Sequence, residues 1–297
     1  MQIFKTKINE GIIYMLIASF CFALMGVFIK ILSGSLGVLE ITFFRNIFGA
    51  AAIGITMLSV PLRNKGGRAG LLLFRAFIGF SAMLAWFYNI AHIPLADAMT
   101  FSRTAPIFTA MIACFVLKER IGAGGWIAIV VGFVGIVFIM KPTGLSLKTT
   151  DLMGLFSGLG AAMAYTSVRE LKKYYDTRTI VFWFMFISGI SSLMMIIANE
   201  YLGVTFLGEF FGDTTMPRGV EWVYIVCLGA FATSGQVFMT RAYGATKAGL
   251  AAAVSYADIV FAVIFGAILW GAFPDLAGLF GIMLVILGGI LVAKEKV

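Results

Sequence analysis

The chain has 297 residues, 61% hydrophobic and 12% charged, whereas soluble domains carry about 25% charged residues. No interval is polar enough to form a separate soluble domain. The net charge of +8 sits mostly at the ends of apolar runs, which argues against nucleic-acid binding.

Apolar runs long enough to cross a bilayer recur along the whole length. In chain order the predicted helices cover 11–32, 37–59, 70–91, 95–117, 123–141, 152–170, 179–200, 220–242, 248–270 and 275–293. Cys21, Cys114 and Cys227 lie inside such runs and read as small buried hydrophobes, since no CxxC pattern accompanies them. The second helix carries Glu40 and Arg45, the third Arg75, the fourth Arg103 and the ninth Asp258. The third ends in Trp86, Phe87, Tyr88 and Asn89, and His92 follows beside Pro94 in a turn. Trp183 and Trp222 also fall near helix ends, where aromatic side chains anchor to the interface.

Lysine and arginine orient the bundle. With the N-terminus in the cytoplasm, fifteen basic residues fall on inner segments and four on outer ones. Both termini are then cytoplasmic, and a bacterial inner membrane is expected. Three basic residues remain, Arg45, Arg75 and Arg103, all within predicted spans.

The chain is written twice. A constant offset of 153 superposes Ala98 on Ala251, Ser102 on Ser255, Gly135 on Gly288 and Lys141 on Lys294. An offset of 143 superposes Gly11 on Gly154, Ala18 on Ala161 and Lys30 on Lys173. Each copy, 1–145 and 146–297, has five helices. An odd number makes the second copy enter from the opposite side, an inverted-topology repeat of the kind transporters use to hold a substrate near the midplane.

The stretch LADAMTFSRTAPIFTAMIACFVLKER, followed by GGWIAIVVGFVGIVFIMKP, resembles the EamA repeat of the drug/metabolite transporter superfamily. SYADIVFAVIFGAIL looks like the second copy, with Ile259 in place of the usual proline and Ala272 in place of the usual glutamate. The resemblance implies an all-α membrane protein of ten helices around a central cavity. The cavity would be lined by helices 3, 4, 8 and 9, with contributions from 1 and 6.

Arg103 lies about 12 Å down the fourth helix, too deep to snorkel easily, so it is expected to face a cavity or a partner. The offset places Ala105 against Asp258 and Arg103 against Tyr256, which brings a cation and an anion to similar depth. The pair reads either as a lock between the halves or as a substrate or proton site, and a pair that opens for substrate is both. Arg75 stands five residues into the third helix, within snorkelling reach of the headgroups and also available to substrate. Tyr88, Tyr256, Ser102 and Ser255 complete the candidate substrate-binding set. Glu40 and Arg45, about 140° apart on one helix, suit neighbouring helices better than each other and are candidates for gating. Pro106 would free the Ser102 carbonyl and serve as a hinge. Asp97 reads as a favourable charge at a helix N-terminus. Gly132, Gly135, Gly288 and Gly289 read as close-packing surfaces within a half or between protomers.

The expected function is therefore secondary active transport of a small organic metabolite, amino-acid-like or otherwise anionic or zwitterionic, with a proton as the candidate coupling ion. A channel or facilitator is the alternative. Intramembrane catalysis lacks a base or ligand set, and GATKAG at Gly244 has the wrong spacing for a phosphate-binding loop. The expected partners are the substrate, the bilayer, protons and a second copy in a homodimer. No cofactor, metal or nucleic acid is expected.

Overall fold

Because a lipid core offers no water to backbone groups, apolar segments must satisfy their hydrogen bonds internally, and they do so as helices. The computed structural model describes residues 10–92, 101–140, 148–201, 215–271 and 273–294. The helices are α1 (Glu10–Leu32), α2 (Val38–Ser59), α3 (Ala69–His92), α4 (Ala105–Phe115), α5 (Ala123–Met140) and α6 (Thr149–Leu171). They continue as α7 (Thr177–Tyr201), α8 (Glu221–Ala245), α9 (Ala248–Val254), α10 (Ala257–Trp270) and α11 (Leu276–Lys294). No strand occurs among the described residues. Each of the ten predicted spans holds helix among the described residues, and eight of them match to within three residues at either end.

The other two spans are broken. The ninth divides into α9 and α10 at Ser255–Tyr256, and the fourth turns at Arg103–Thr104 before α4 begins. At each break the backbone tightens: the Thr104 N–H bonds the Phe101 carbonyl at 3.0 Å, and the Ser255 N–H, still held by Ala251 at 3.1 Å, also reaches the Ala252 carbonyl at 3.2 Å. The Thr104 and Ser255 hydroxyls donate to those same carbonyls, each at 2.6 Å. Pro106 stands in the first turn of α4, where its missing N–H costs no helical bond. It therefore starts a half-helix and is not a kink within a continuous one. The second copy breaks at the matching place with Ile259 instead of proline, so local hydroxyl bonding suffices there.

Helix pairing follows the repeat. The principal neighbours are α1 with α8, α6 with α3, α2 with α7, and α5 with α11. Exchanging each helix with its counterpart five spans away returns the same set. Residues obey the same exchange. Gly11 meets Ala242, and its counterpart Gly154 meets Asn89, the counterpart of Ala242. Gly135 meets Gly281 and Val285, while Gly288 meets Ala128 and Gly132. The last two sets also show α5 and α11 running antiparallel.

A Cβ on Gly135 would lie 2.6 Å from the Gly281 carbonyl oxygen. Only glycine permits that approach, and close backbone approach is how helices associate where lipid removes the hydrophobic drive. Gly132, Gly135 and Gly288 thus pack between the two halves, correcting the expectation of packing within a half or between protomers. Gly289 has open space beside it. Outward-facing apolar side chains such as Leu58, Ile268, Leu276 and Met283 are well exposed and suit contact with acyl chains. A buried core that includes Ile12, Ala110, Leu171, Ala242, Leu250 and Ala251 fills the end of the bundle where α1 begins.

Candidate functional site

The two broken helices bring the deep charges together. Arg103 Nη1 donates to Asp258 Oδ2 at 2.5 Å. Asp258 lies in the first turn of α10, where the helix dipole favours a negative charge. Behind the pair, the Tyr256 hydroxyl donates to the Arg103 carbonyl at 3.2 Å. Because Arg103 and Tyr256 are repeat counterparts, this contact sits where the axis relating the two copies passes. Arg103 Nε and Asp258 Oδ1 are buried without a hydrogen-bond partner among the described residues. The pair thus retains bonding capacity directed at something other than itself.

Beside it lies a cavity of about 70 Å³, room for a few water molecules. Its walls are Met15, Ser19 and Phe22 from α1, Ser102, Arg103, Ala105 and Pro106 from the fourth span, Tyr165 from α6, and Met239 and Tyr243 from α8. Ser255 and Asp258 complete it. Helix α3 contributes none of these residues, which corrects the expectation that the third helix lines the cavity.

The structure unites five of the sequence-predicted residues at this cavity: Arg103, Asp258, Ser102, Ser255 and Pro106. Tyr256 is buried behind Arg103, its ring against Gly132, and does not line the cavity. Tyr88 stacks on His92 at the end of α3, ring centroids 4.2 Å apart, and is not among the cavity walls. The carbonyls that gain side-chain partners at the break are those of Phe101 and Arg103, where the sequence pointed to Ser102. Asp97 lies outside the described residues.

Arg75 does not snorkel. It is 2% exposed, its guanidinium 3.7 Å from the centroid of the Phe184 ring, and Nη2 donates to Gln236 Oε1 at 3.3 Å. Arg45 on α2 reaches Met25 Sδ on α1 at 3.9 Å and Asn46 Oδ1 at 3.5 Å. Glu40 is buried on the same helix, and neither Glu40 nor Arg45 is among the cavity walls.

Sequence reasoning missed Tyr165, Tyr243 and Gln236. Tyr165 lies within electrostatic range of all three intramembrane arginines and of Asp258, and it stacks on Tyr243 with centroids 5.6 Å apart. For Tyr165 the signal was present, because a tyrosine within a span needs a partner for its hydroxyl whichever span carries it.

It also missed a cluster at the end where α1 begins. Glu119, in the Leu-x-Glu-Arg segment, accepts from Arg169 Nε at 2.9 Å and from the backbone N–H of Ala248, at the start of α9, at 2.9 Å. Arg169 Nη1 donates to the Tyr243 and Gly244 carbonyls at the end of α8, at 3.4 and 3.1 Å. One ion pair therefore caps two helix ends and joins the two copies. Nearby, Arg178 donates to the Thr56, Val60 and Pro61 carbonyls and to Asp176. Partial burial works against the Asp176 charge, but hydrogen bonds from the Arg178 side chain and backbone outweigh it and hold this carboxyl below its usual range.

The EamA-like transporter family model matches residues 9–141 and again 148–294. An uncharacterized transporter of Helicobacter pylori is 33% identical over 293 residues, covering 97% of this chain and 96% of that one. The pseudopaline exporter of Pseudomonas aeruginosa is 28% identical, covering 97% and 98%. A crystal structure at 16% identity superposes with a TM-score of 0.74 over 97% of this chain and 96% of the other, which shows a shared fold.

Proposed function

The chain belongs to the EamA-like transporter family, and on that premise we propose that it is a secondary active transporter moving a small anionic or zwitterionic metabolite by alternating access. The observation that carries this reading is the Arg103–Asp258 ion pair, held at the breaks of two equivalent helices beside a cavity. A buried pair is a weak stabiliser once desolvation is counted. One with unused bonding atoms on both partners is better suited to opening for a ligand than to locking the halves.

The two copies, 1–145 and 146–297, act as inverted repeats that exchange conformations. The antiparallel α5–α11 contact and the exchange-invariant helix pairing support this. Both termini lie in the cytoplasm of a bacterial inner membrane, from the distribution of basic residues. The bundle end sealed by the apolar core and the Glu119–Arg169 pair is then the cytoplasmic end, so this conformation is closed to the cytoplasm. Asp258 carries a coupling proton in the step where neither Arg103 nor substrate neutralises it.

The test is counterflow into proteoliposomes. Saturable exchange of a defined metabolite, lost in Arg103→Ala protein that still folds, is the expected result. Unsaturable conductance would instead indicate a channel. An Asp258→Asn variant with a wild-type pH profile of uptake would remove the proton role.

A further inference from the structure

Five buried or half-buried arginines among the described residues meet contrasting surroundings, and Arg178 pairs with Asp176. Arg103 and Arg169 each pair with a carboxylate, and Arg169 adds two backbone carbonyls. Arg45 and Arg75 have no carboxylate within ion-pair distance among the described residues. Arg75, almost wholly buried, spends one of its five N–H groups on Gln236, while its Nε and Nη1 have no hydrogen-bond partner among the described residues. Arg45 Nε is likewise buried and unpartnered. The two cations lie within electrostatic range of each other and of Tyr165.

A fold that needed these side chains only for packing would supply acceptors, as it does for Arg169 and Arg178. Two like charges kept together in a low dielectric without a counter-ion are costly. What they lack is a pair of oxygens bearing negative charge, which is what a guanidinium fork binds in two parallel bonds. Tyr165 connects this place to the cavity. It lines the cavity wall, its neighbour Ala164 and Arg75 Nη1 both face Gly79, and Gln236, which binds Arg75, stands one helical turn from Met239 of the same wall.

We propose that Arg75 and Arg45 form an anion subsite, reached past Tyr165, that takes the carboxylate of the transported compound while the Arg103–Asp258 pair receives its amine end. The proposal rests on the carrier reading and assigns the substrate class. It has to be an oxyanion long enough to reach from Asp258 past a tyrosine ring, and compounds with both an amine and a carboxylate fit best. Gln236 positions Arg75 through its amide oxygen.

The experiment uses the full chain in nanodiscs of one fixed lipid composition. 4-Aminobutyrate, 6-aminohexanoate, ornithine and lysine, whose amine and carboxylate are separated by a chain, are each compared with the corresponding carboxamide by the shift in melting temperature across a concentration series. At least one carboxylate is expected to bind tenfold or more tightly than its amide. Arg75→Met and Arg45→Met should erase that preference, and Arg75→Lys should keep part of it. Without any probe, both methionine variants should melt within a few degrees of the wild type, because the buried charge each removes has no carboxylate partner and the Phe184 and Gln236 contacts of Arg75 offset its burial only in part. A methionine variant that melts well below wild type would make that arginine structural and overturn the proposal. So would a carboxylate preference that survives both substitutions, or no carboxylate binding to the wild type. Saturable counterflow of neutral or cationic compounds alone would preserve the carrier reading and end the subsite.

Discussion

Replacing Glu119 with Gln removes the charge that holds Arg169 and weakens the cap on α9. The pair's side chains are 29% and 12% exposed, so solvent screens it only in part. Hydrogen bonds to charged groups contribute about 1.5–3 kcal/mol each when partly buried. Taking about 2 kcal/mol as the loss specific to the cytoplasm-closed conformation, the ratio of closed to open molecules falls about thirtyfold. The assay is cysteine labelling. In a background with Cys21, Cys114 and Cys227 replaced, Ser19→Cys places a thiol on the cavity wall. A membrane-impermeant maleimide added from the cytoplasmic side of inside-out vesicles then reports opening. The labelling rate in Glu119→Gln should rise tenfold or more when the open state is minor. Arg169→Ala should behave likewise, since it loses the same pair. An unchanged or slower rate in both variants would refute the assignment of this cluster as a cytoplasmic latch.

Two further outcomes follow from the charges. Asp258→Asn leaves Arg103 without its counter-ion and should cost about 3 kcal/mol of stability; the double variant with Arg103→Gln should recover more than half, read by thermal melting, and strictly additive losses would show that the two do not act as a unit. At the loop before α7, the folded-state carboxyl of Asp176 titrates below its unfolded value, so its contribution is present above about pH 4 and is lost as the pH falls through the lowered folded value. Asp176→Asn should therefore melt below wild type at neutral pH and converge with it in acid, and a difference independent of pH would contradict the linkage.

The spans were legible because bilayer thickness fixes the length of an apolar run, which is a one-dimensional property. The Arg103–Asp258 pair was legible for a different reason: the internal offset placed two residues from distant parts of the chain at one depth. The rotation of each helix about its own axis was not legible. In a membrane protein both lipid and core are apolar, so hydropathy does not say which way Arg75 or Tyr88 turns. Arg75 turned inward to Phe184 and Gln236, and Tyr88 turned to His92. The helix breaks escaped because each depends on a short-range bond from a serine or threonine hydroxyl, which leaves no mark on a hydropathy profile.

The contact between Arg103 and Tyr256 has a consequence for how such a molecule can be assembled. In a pair of identical five-helix chains, a residue on the rotation axis would face its own twin, and an arginine there would confront another arginine. Joining both units in one polypeptide lifts that restriction, since the facing positions can then differ. Here one keeps the cation, the other supplies a phenol, and the neighbouring Ala105 and Asp258 divide in the same way. Covalent fusion is what allows opposite charges to meet at the centre of an otherwise twofold body.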